Sequence, residues 1–357
     1  MTTPPLNLGK KRGMRRMATP EGHFTMVALD QRPPLAQLIG AKRGIAPDQV
    51  SFADMVAVKG ILADALGAHA SAMLFDPNYA LPAALPKLPA HTGLVLTLED
   101  HRFRETPGGR LSHSIDDWSV EKIKRAGGDG VKLLAWYRPD AAPKVRAYQQ
   151  DYVRQIGRQC RQCDIPLVLE LLVYPFPGDH RHRPGATGSP EKMPDEMSDE
   201  TPELVLASLR EFARPEYGVD LFKLESPLPG ATLPVRDGGA AHQAAQGWFG
   251  QMGAICAGAG IPWVMLSAGV TPAQFLRVME YAYAAGAHGF LAGRALWWQA
   301  LQNFPDLERC AEQLRREGGA TFAALAALTL RAGNAWHPDY SAFDALQAEG
   351  ELCASYA

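Results

Sequence analysis

Eight short apolar segments recur along the chain, and most are followed by a stretch with helical spacing. They span residues 24–30, 72–76, 93–99, 130–137, 166–174, 219–225, 262–269 and 288–294. Strands buried on both faces read as continuous apolar runs, which is the pattern of a parallel sheet covered by helices. Eight such units in 357 residues predict one (β/α)8 barrel, an α/β fold. A doubly wound open sheet is the other arrangement that this alternation allows. No G-x-G-x-x-G comes after the first segment, which weakens its dinucleotide-binding version.

Local signals agree with the alternation. In "TPAQFLRVMEYAYAAGAHG", Thr271 stands at an N-cap, Pro272 at the first helical position and Gly286 near the stop. Two long irregular stretches leave the fifth and sixth segments, over residues 175–200 and 227–243. A barrel keeps its active-site loops at that end of its strands. The domain reading is a basic segment over residues 1–20, then a barrel over 21–357 with closing helices beyond about residue 300. "GKKRGMRR", within the basic segment, reads as a solvated tail or a first helical turn.

Composition narrows the function classes. A net charge of −2 gives no sign of nucleic acid or an anionic membrane as partner. No apolar run is long enough for a membrane span, and the first residues lack the apolar core of a secretory signal. A cytoplasmic protein is expected. Cys160 and Cys163 form a C-x-x-C with no second pair to complete a zinc site, so they read as incidental thiols.

Charged residues interrupt the predicted strands, and alternation places them on shared faces. Lys223 shares a face with Leu221, Lys132 with Leu134, Glu170 with Val168 and Leu172, and Asp30 with Met26 and Ala28. If these faces point inward, two amines and two carboxylates converge at one mouth of the barrel. A lysine attacks a ketone only when neutral, and both burial and a neighbouring cation such as Lys132 depress its pKa. The resulting iminium is an electron sink that lets an adjacent carbon–carbon bond break or form. Glu170 can move the protons, and Asp30 can hold a substrate hydroxyl or orient the lysines. Single buried Lys–Glu pairs also serve as structural bridges. The coincidence of the whole set at strand ends favours Schiff-base chemistry over that role.

The last two segments add an anion site. "LSAGV" and "LAGRA" end strands on glycine and small residues, where backbone N–H groups are accessible and Arg294 can grip a phosphate. A tight strand-to-helix turn would need the same glycines. The loops after strands seven and eight are the habitual phosphate site of barrels, which favours the anion reading.

"ALDQR", "LFDPNYALP", "GVKLL", "LELLVY", "FKLESP", "LSAGV" and "LAGRALW" occur in that order over roughly residues 20–300. In this the chain resembles the tagatose 1,6-bisphosphate aldolase family, which also includes the 6-deoxy-6-sulfofructose 1-phosphate aldolases. The resemblance implies a class I aldolase without metal or other cofactor, acting on a small-molecule sugar phosphate as a homo-oligomer. It implies that Lys223 is the Schiff-base lysine, Glu170 the acid/base and Lys132 the second active-site lysine. Asp30 and Gln31 would contact substrate. Ser267, Gly269, Gly293 and Arg294 would hold the phosphate on the ketone-side carbon. The products would be dihydroxyacetone phosphate and a three-carbon aldehyde. Two features stand outside the resemblance. His180, Arg181, His182 and Arg183 are candidates for an anion at carbon six or for a solvated face, and Tyr356 invites comparison with the terminal tyrosine of fructose-bisphosphate aldolases. A non-catalytic sugar-phosphate sensor on the same barrel is the rival from another functional class.

Overall fold

The computed structural model describes residues 7–176, 202–344 and 346–356. Eight strands match the eight segments expected from the sequence, each lying within one of them. They are β1 (Phe24–Leu29), β2 (Ala72–Phe75), β3 (Gly93–Thr97), β6 (Gly130–Trp136), β7 (Leu167–Leu172), β8 (Leu221–Leu224), β9 (Trp263–Met265) and β10 (Gly289–Ala292). All eight are parallel and close into a barrel in the order β1, β10, β9, β8, β7, β6, β3, β2. Between β3 and β6, β4 (Arg104–Thr106) and β5 (Gly109–Leu111) form a separate antiparallel hairpin, which the sequence did not announce.

The two faces of every strand have different jobs. Val27, Leu29, Met73, Phe75, Leu133 and Phe222 pack against the surrounding helices. Met26, Ala28, Leu74, Val95, Val168, Leu221, Val264 and Leu291 fill the interior of the barrel. Both sets are buried, which is why the strands read as unbroken apolar runs. The helix expected after Thr271 runs Pro272–Ala284, with the threonine side chain accepting from the Gln274 N–H in a capping box.

The basic N-terminal segment departs from the solvated-tail reading. It forms a helix, Leu8–Met17, that lies across the N-terminal end of the barrel. Met14 and Met17 join the interior cluster with Phe24 and Leu221. Lys10 is buried and its ammonium donates to Asp220 Oδ2 at 2.7 Å. Gly13 permits the close approach, because a Cβ there would lie 2.3 Å from the Asp129 carbonyl oxygen. Trp336 closes the same end, its ring packing against Phe24 and its backbone N–H donating to the Gly22 carbonyl.

Candidate active site

Register explains which charged side chains meet. Glu170 on β7 is the ladder partner of Lys223 on β8, so the two side chains leave neighbouring strands at one level and on one face. Lys223 Nζ donates to Glu170 Oε2 at 2.9 Å. Leu134 on β6 is level with Glu170, which puts Lys132 one layer deeper, and its long side chain climbs to the same oxygen at 2.8 Å. A single carboxylate oxygen therefore bridges the two amines. Lys223 and Lys132 are only 3% and 2% exposed.

Three carboxylates converge on Lys132. Beside Glu170, its ammonium meets Asp30 Oδ2 at 2.9 Å and Glu99 Oε1 at 2.5 Å. Burial disfavours the charge, but Asp30, Glu170 and Glu99 outweigh it and hold the ammonium well above the ordinary lysine range. The reciprocal effect holds for the acids. Burial pushes Glu170 and Asp30 up, yet the charges of Lys132 and then Lys223 win and keep both carboxyls below their usual range. The site is thus a fixed array of charges whose sign pattern survives burial because each charge has a partner.

Lys132 was expected to act on Lys223 as a bare neighbouring cation. The geometry differs, since the Glu170 carboxylate bridges the two ammonium groups. Asp30 is buried, and its second oxygen, Oδ1, has no hydrogen-bond partner among the described residues. Its loop is braced from below. Lys59, a buried residue of the helix Phe52–Leu66, donates to the carbonyls of Leu29 and Gln31 and to Asp76 Oδ2. Asp76 in turn accepts the backbone N–H groups of Asn78 and Tyr79 at 3.0 and 2.7 Å.

These groups border a cavity of about 590 Å³ at the C-terminal mouth of the strands. Asp30, Gln31, Lys132, Glu170 and Lys223 line it on one side, and Ser267, Gly293 and Arg294 on another. Gly269 sits under the Arg294 guanidinium, where a Cβ would be 3.0 Å from Arg294 Cζ. Its φ of +73° suits glycine, and Ala268 beside it holds a φ of +42°, a local backbone strain of a kind common at binding sites. The Gly293 backbone lies against the Gln31 amide, 2.7 Å from the position a Cβ would take. The predicted catalytic residues and Gln31, Ser267, Gly293 and Arg294 therefore border one cavity, while Gly269 lies behind Arg294 rather than in its lining.

Glu99 was not foreseen as a site residue. It comes after Val95 and Thr97 with strand alternation, so the signal was present, but it lies past the end of β3, where pairing with Ser114 sets its position. Arg32 and His101 also line the cavity and were passed over. Tyr356 does not belong to the site. Its hydroxyl donates to Asp164, which also accepts from Gly9 of the helix closing the far end of the barrel. His180, Arg181, His182 and Arg183 lie outside the described residues. Cys160 is buried inside a helix, where burial above all pushes its thiol up. Among the described residues no group of three or more His, Cys, Asp or Glu side chains is arranged to hold a metal ion. No helix among them is long and apolar enough to cross a membrane.

A closed parallel barrel with buried amines and carboxylates gathered in a cavity at its C-terminal mouth defines an enzyme of the (β/α)8 class. Residues 24–299 match the family described as DeoC/LacD family aldolase. This chain belongs to that family and is a class I aldolase, a carbon–carbon lyase. It is 30% identical to tagatose 1,6-diphosphate aldolase 2 of Enterococcus faecalis over 340 residues, 93% of this chain and 97% of that protein. The tagatose 1,6-diphosphate aldolase of Lactococcus lactis is 29% identical, covering 92% and 97% of the two chains. Two solved structures share the fold. A fructose-bisphosphate aldolase from Plasmodium falciparum has a TM-score of 0.63 at 12% identity, over 92% of this chain and 96% of that one. A Schiff-base-forming fructose-1,6-bisphosphate aldolase has a TM-score of 0.50 at 18% identity, over 87% and 99%.

Proposed function

We propose that the protein reversibly cleaves a phosphorylated ketohexose of the tagatose 1,6-bisphosphate type into dihydroxyacetone phosphate and a three-carbon aldehyde. The observation that carries this reading is the buried Lys223 amine, hydrogen-bonded at 2.9 Å to Glu170 Oε2 inside the cavity. The names of the two bacterial relatives support the choice of sugar.

The arrangement supplies a group for each step. Glu170 takes a proton from Lys223, and the neutral amine adds to the C2 ketone to give a carbinolamine. Protonation of the carbinolamine hydroxyl by Glu170 expels water and leaves an iminium. A base removes the C4 hydroxyl proton, the C3–C4 bond breaks, and its electron pair moves into the iminium as an enamine. Asp30 Oδ1, unpartnered among the described residues, is our choice to accept that proton or to hold the hydroxyl. The aldehyde departs, C3 is protonated, and water releases dihydroxyacetone phosphate from Lys223. Lys132 keeps its charge throughout and fixes Asp30, Glu99 and Glu170 in place. Ser267, Gly269, Gly293 and Arg294 hold the ketone-side phosphate, with the guanidinium as its counter-charge, and Gln31 contacts the substrate beside Asp30. The reaction written this way uses no metal or other cofactor. The reading includes a homo-oligomer acting in the cytoplasm, as the family resemblance implies.

Dihydroxyacetone phosphate with borohydride tests it. Mass spectrometry is expected to find a stable adduct on Lys223 and none in Lys223→Ala. Folded wild-type protein without that adduct, or an alanine variant that still cleaves the sugar, overturns the assignment.

A further inference from the structure

Turnover changes the charge of two of the three carboxylates around Lys132. Glu170 becomes a neutral acid when it takes the Lys223 proton, and Asp30 gains a proton when it accepts one from the C4 hydroxyl. At each of those moments Lys132 loses an anion on which its ammonium relies, because burial alone disfavours the charge. The third carboxylate, Glu99, is held differently. Its Oε1 meets Lys132 Nζ at 2.5 Å, and its Oε2 accepts the Leu134 backbone N–H at 3.1 Å. Both oxygens are engaged inside the protein, and the residue is 3% exposed. Asp30 instead keeps Oδ1 without a partner among the described residues, and Glu170 offers Lys223 the oxygen that Lys132 also meets.

The backbone fixes where Glu99 stands. It pairs with Ser114 in an isolated bridge. The Leu98 N–H donates to the Lys132 carbonyl at 2.9 Å, and Arg32 Nη2 donates to the Glu99 carbonyl at 3.1 Å. Two donors, an ammonium and a backbone N–H, converge on the two side-chain oxygens. A carboxylate serves both, whereas an amide would turn its own N–H toward one of them. The charged groups that face Lys132 are Asp30 from beyond β1, Glu99 from beyond β3, Glu170 from β7, and Lys223 from β8 across the shared oxygen. Lys59 acts on Asp30 from below. Tyr152, bonded to Ser114 Oγ at 2.9 Å, stays a neutral phenol, because burial above all pushes it up.

We propose that Glu99 is a positioning residue, the anion outside the chemistry that keeps the Lys132 ammonium charged and in place while Asp30 and Glu170 gain and lose protons. The proposal rests on the Schiff-base reading above, which assigns those protons. It divides the three carboxylates into two that exchange protons and one that does not. The consequence has a sign. Removing an anion beside a lysine lets it lose its proton at lower pH. With Glu99 in place, Lys132 is held well above the ordinary lysine range and sets no alkaline limit near neutral pH. Without the Glu99 charge that limit descends, and turnover fails as pH rises through it.

The test is the pH profile of kcat for cleavage of tagatose 1,6-bisphosphate. In Glu99→Gln, kcat at neutral pH is expected to fall roughly 10–100-fold, part of what positioned proton transfer supplies, with KM within about threefold of wild type. The alkaline limb of kcat moves down by about 1–3 pH units. Glu99→Asp keeps the charge but draws it back by one methylene, so its limb moves down by less. A kcat that is unchanged, or that falls equally at every pH as a purely structural defect would make it, overturns the proposal. So does a loss carried wholly by KM, which places Glu99 against the substrate. If Glu99→Gln does not fold, Glu99→Asp decides alone, a lowered limb supporting the proposal and an unmoved one overturning it. Borohydride trapping of dihydroxyacetone phosphate is followed in the same proteins. Failed trapping in the wild type sinks the Schiff-base reading, whereas intact trapping with an unmoved limb in the variants sinks this proposal alone.

Discussion

Replacing Lys132 with methionine isolates the electrostatic core of the site. The substitution roughly preserves side-chain length and removes the ammonium that meets Asp30, Glu99 and Glu170 at 2.9, 2.5 and 2.8 Å. Three buried carboxylates then face one another, and of the two bridged amines only Lys223 remains, against Glu170. Removing one partner of a buried ion pair costs about 3–5 kcal/mol. At roughly 2 °C per kcal/mol for a chain of this size, Tm falls by about 6–10 °C. The pH dependence fixes the cause. In the wild type, Asp30 and Glu170 sit below the ordinary carboxylate range. The stability they lend is complete above that range and is lost as pH falls through their lowered values. In Lys132→Met the crowded carboxyls are pushed above the ordinary range instead. Their penalty is full at pH 8 and is lifted as protons bind on the way to pH 5. The stability gap between the two proteins, measured by urea unfolding, is therefore widest at pH 8 and narrows toward pH 5. A gap under about 1 kcal/mol, or one that stays constant with pH, would falsify the charge-array account.

Two further perturbations probe other parts of the site. Arg294→Ala removes the counter-charge over Gly269, so KM for a 1-phosphorylated ketose rises roughly tenfold or more with a smaller change in kcat; steady-state kinetics with KM unmoved would argue against the anion role. Lys59→Met leaves Asp76 buried without its cation and frees the carbonyls of Leu29 and Gln31, so stability falls by about 3–5 kcal/mol in urea and cleavage weakens as the Asp30 loop loosens; a variant as stable as wild type would show that the brace carries no energy.

Much of this molecule was legible from apolar runs and their interruptions. Barrel strands are apolar on both faces, so Lys132, Glu170 and Lys223 stood out as charges with no ordinary reason to be there. Alternation then gave the correct inward face. The features that escaped the sequence depend on partners distant in the chain. Lys10 reads as part of a solvated basic cluster until Asp220, 210 positions away, is brought beside it. The hairpin of β4 and β5 is held by Arg110 lying over Phe103, Trp136 and Tyr174, and no periodicity signals a cation among rings drawn from three places. Glu99 belongs to the site because its chain curls back past the ladder to pair with Ser114, a local event that strand alternation does not describe.

The helix Leu8–Met17 and Trp336 have a consequence for how the molecule assembles. The helix leaves the ribosome before any strand, yet its anchor at Asp220 is made only after five of the eight barrel strands. Trp336 arrives after all of them. Contacts that span so much chain form late, because the loop they close must be ordered first. Closing the floor of the barrel therefore carries the loop-closure cost of nearly the whole chain. The floor of the barrel is thus tied together by the two ends of the described chain, so a change at Lys10 or Trp336 acts on the barrel from the side opposite its mouth.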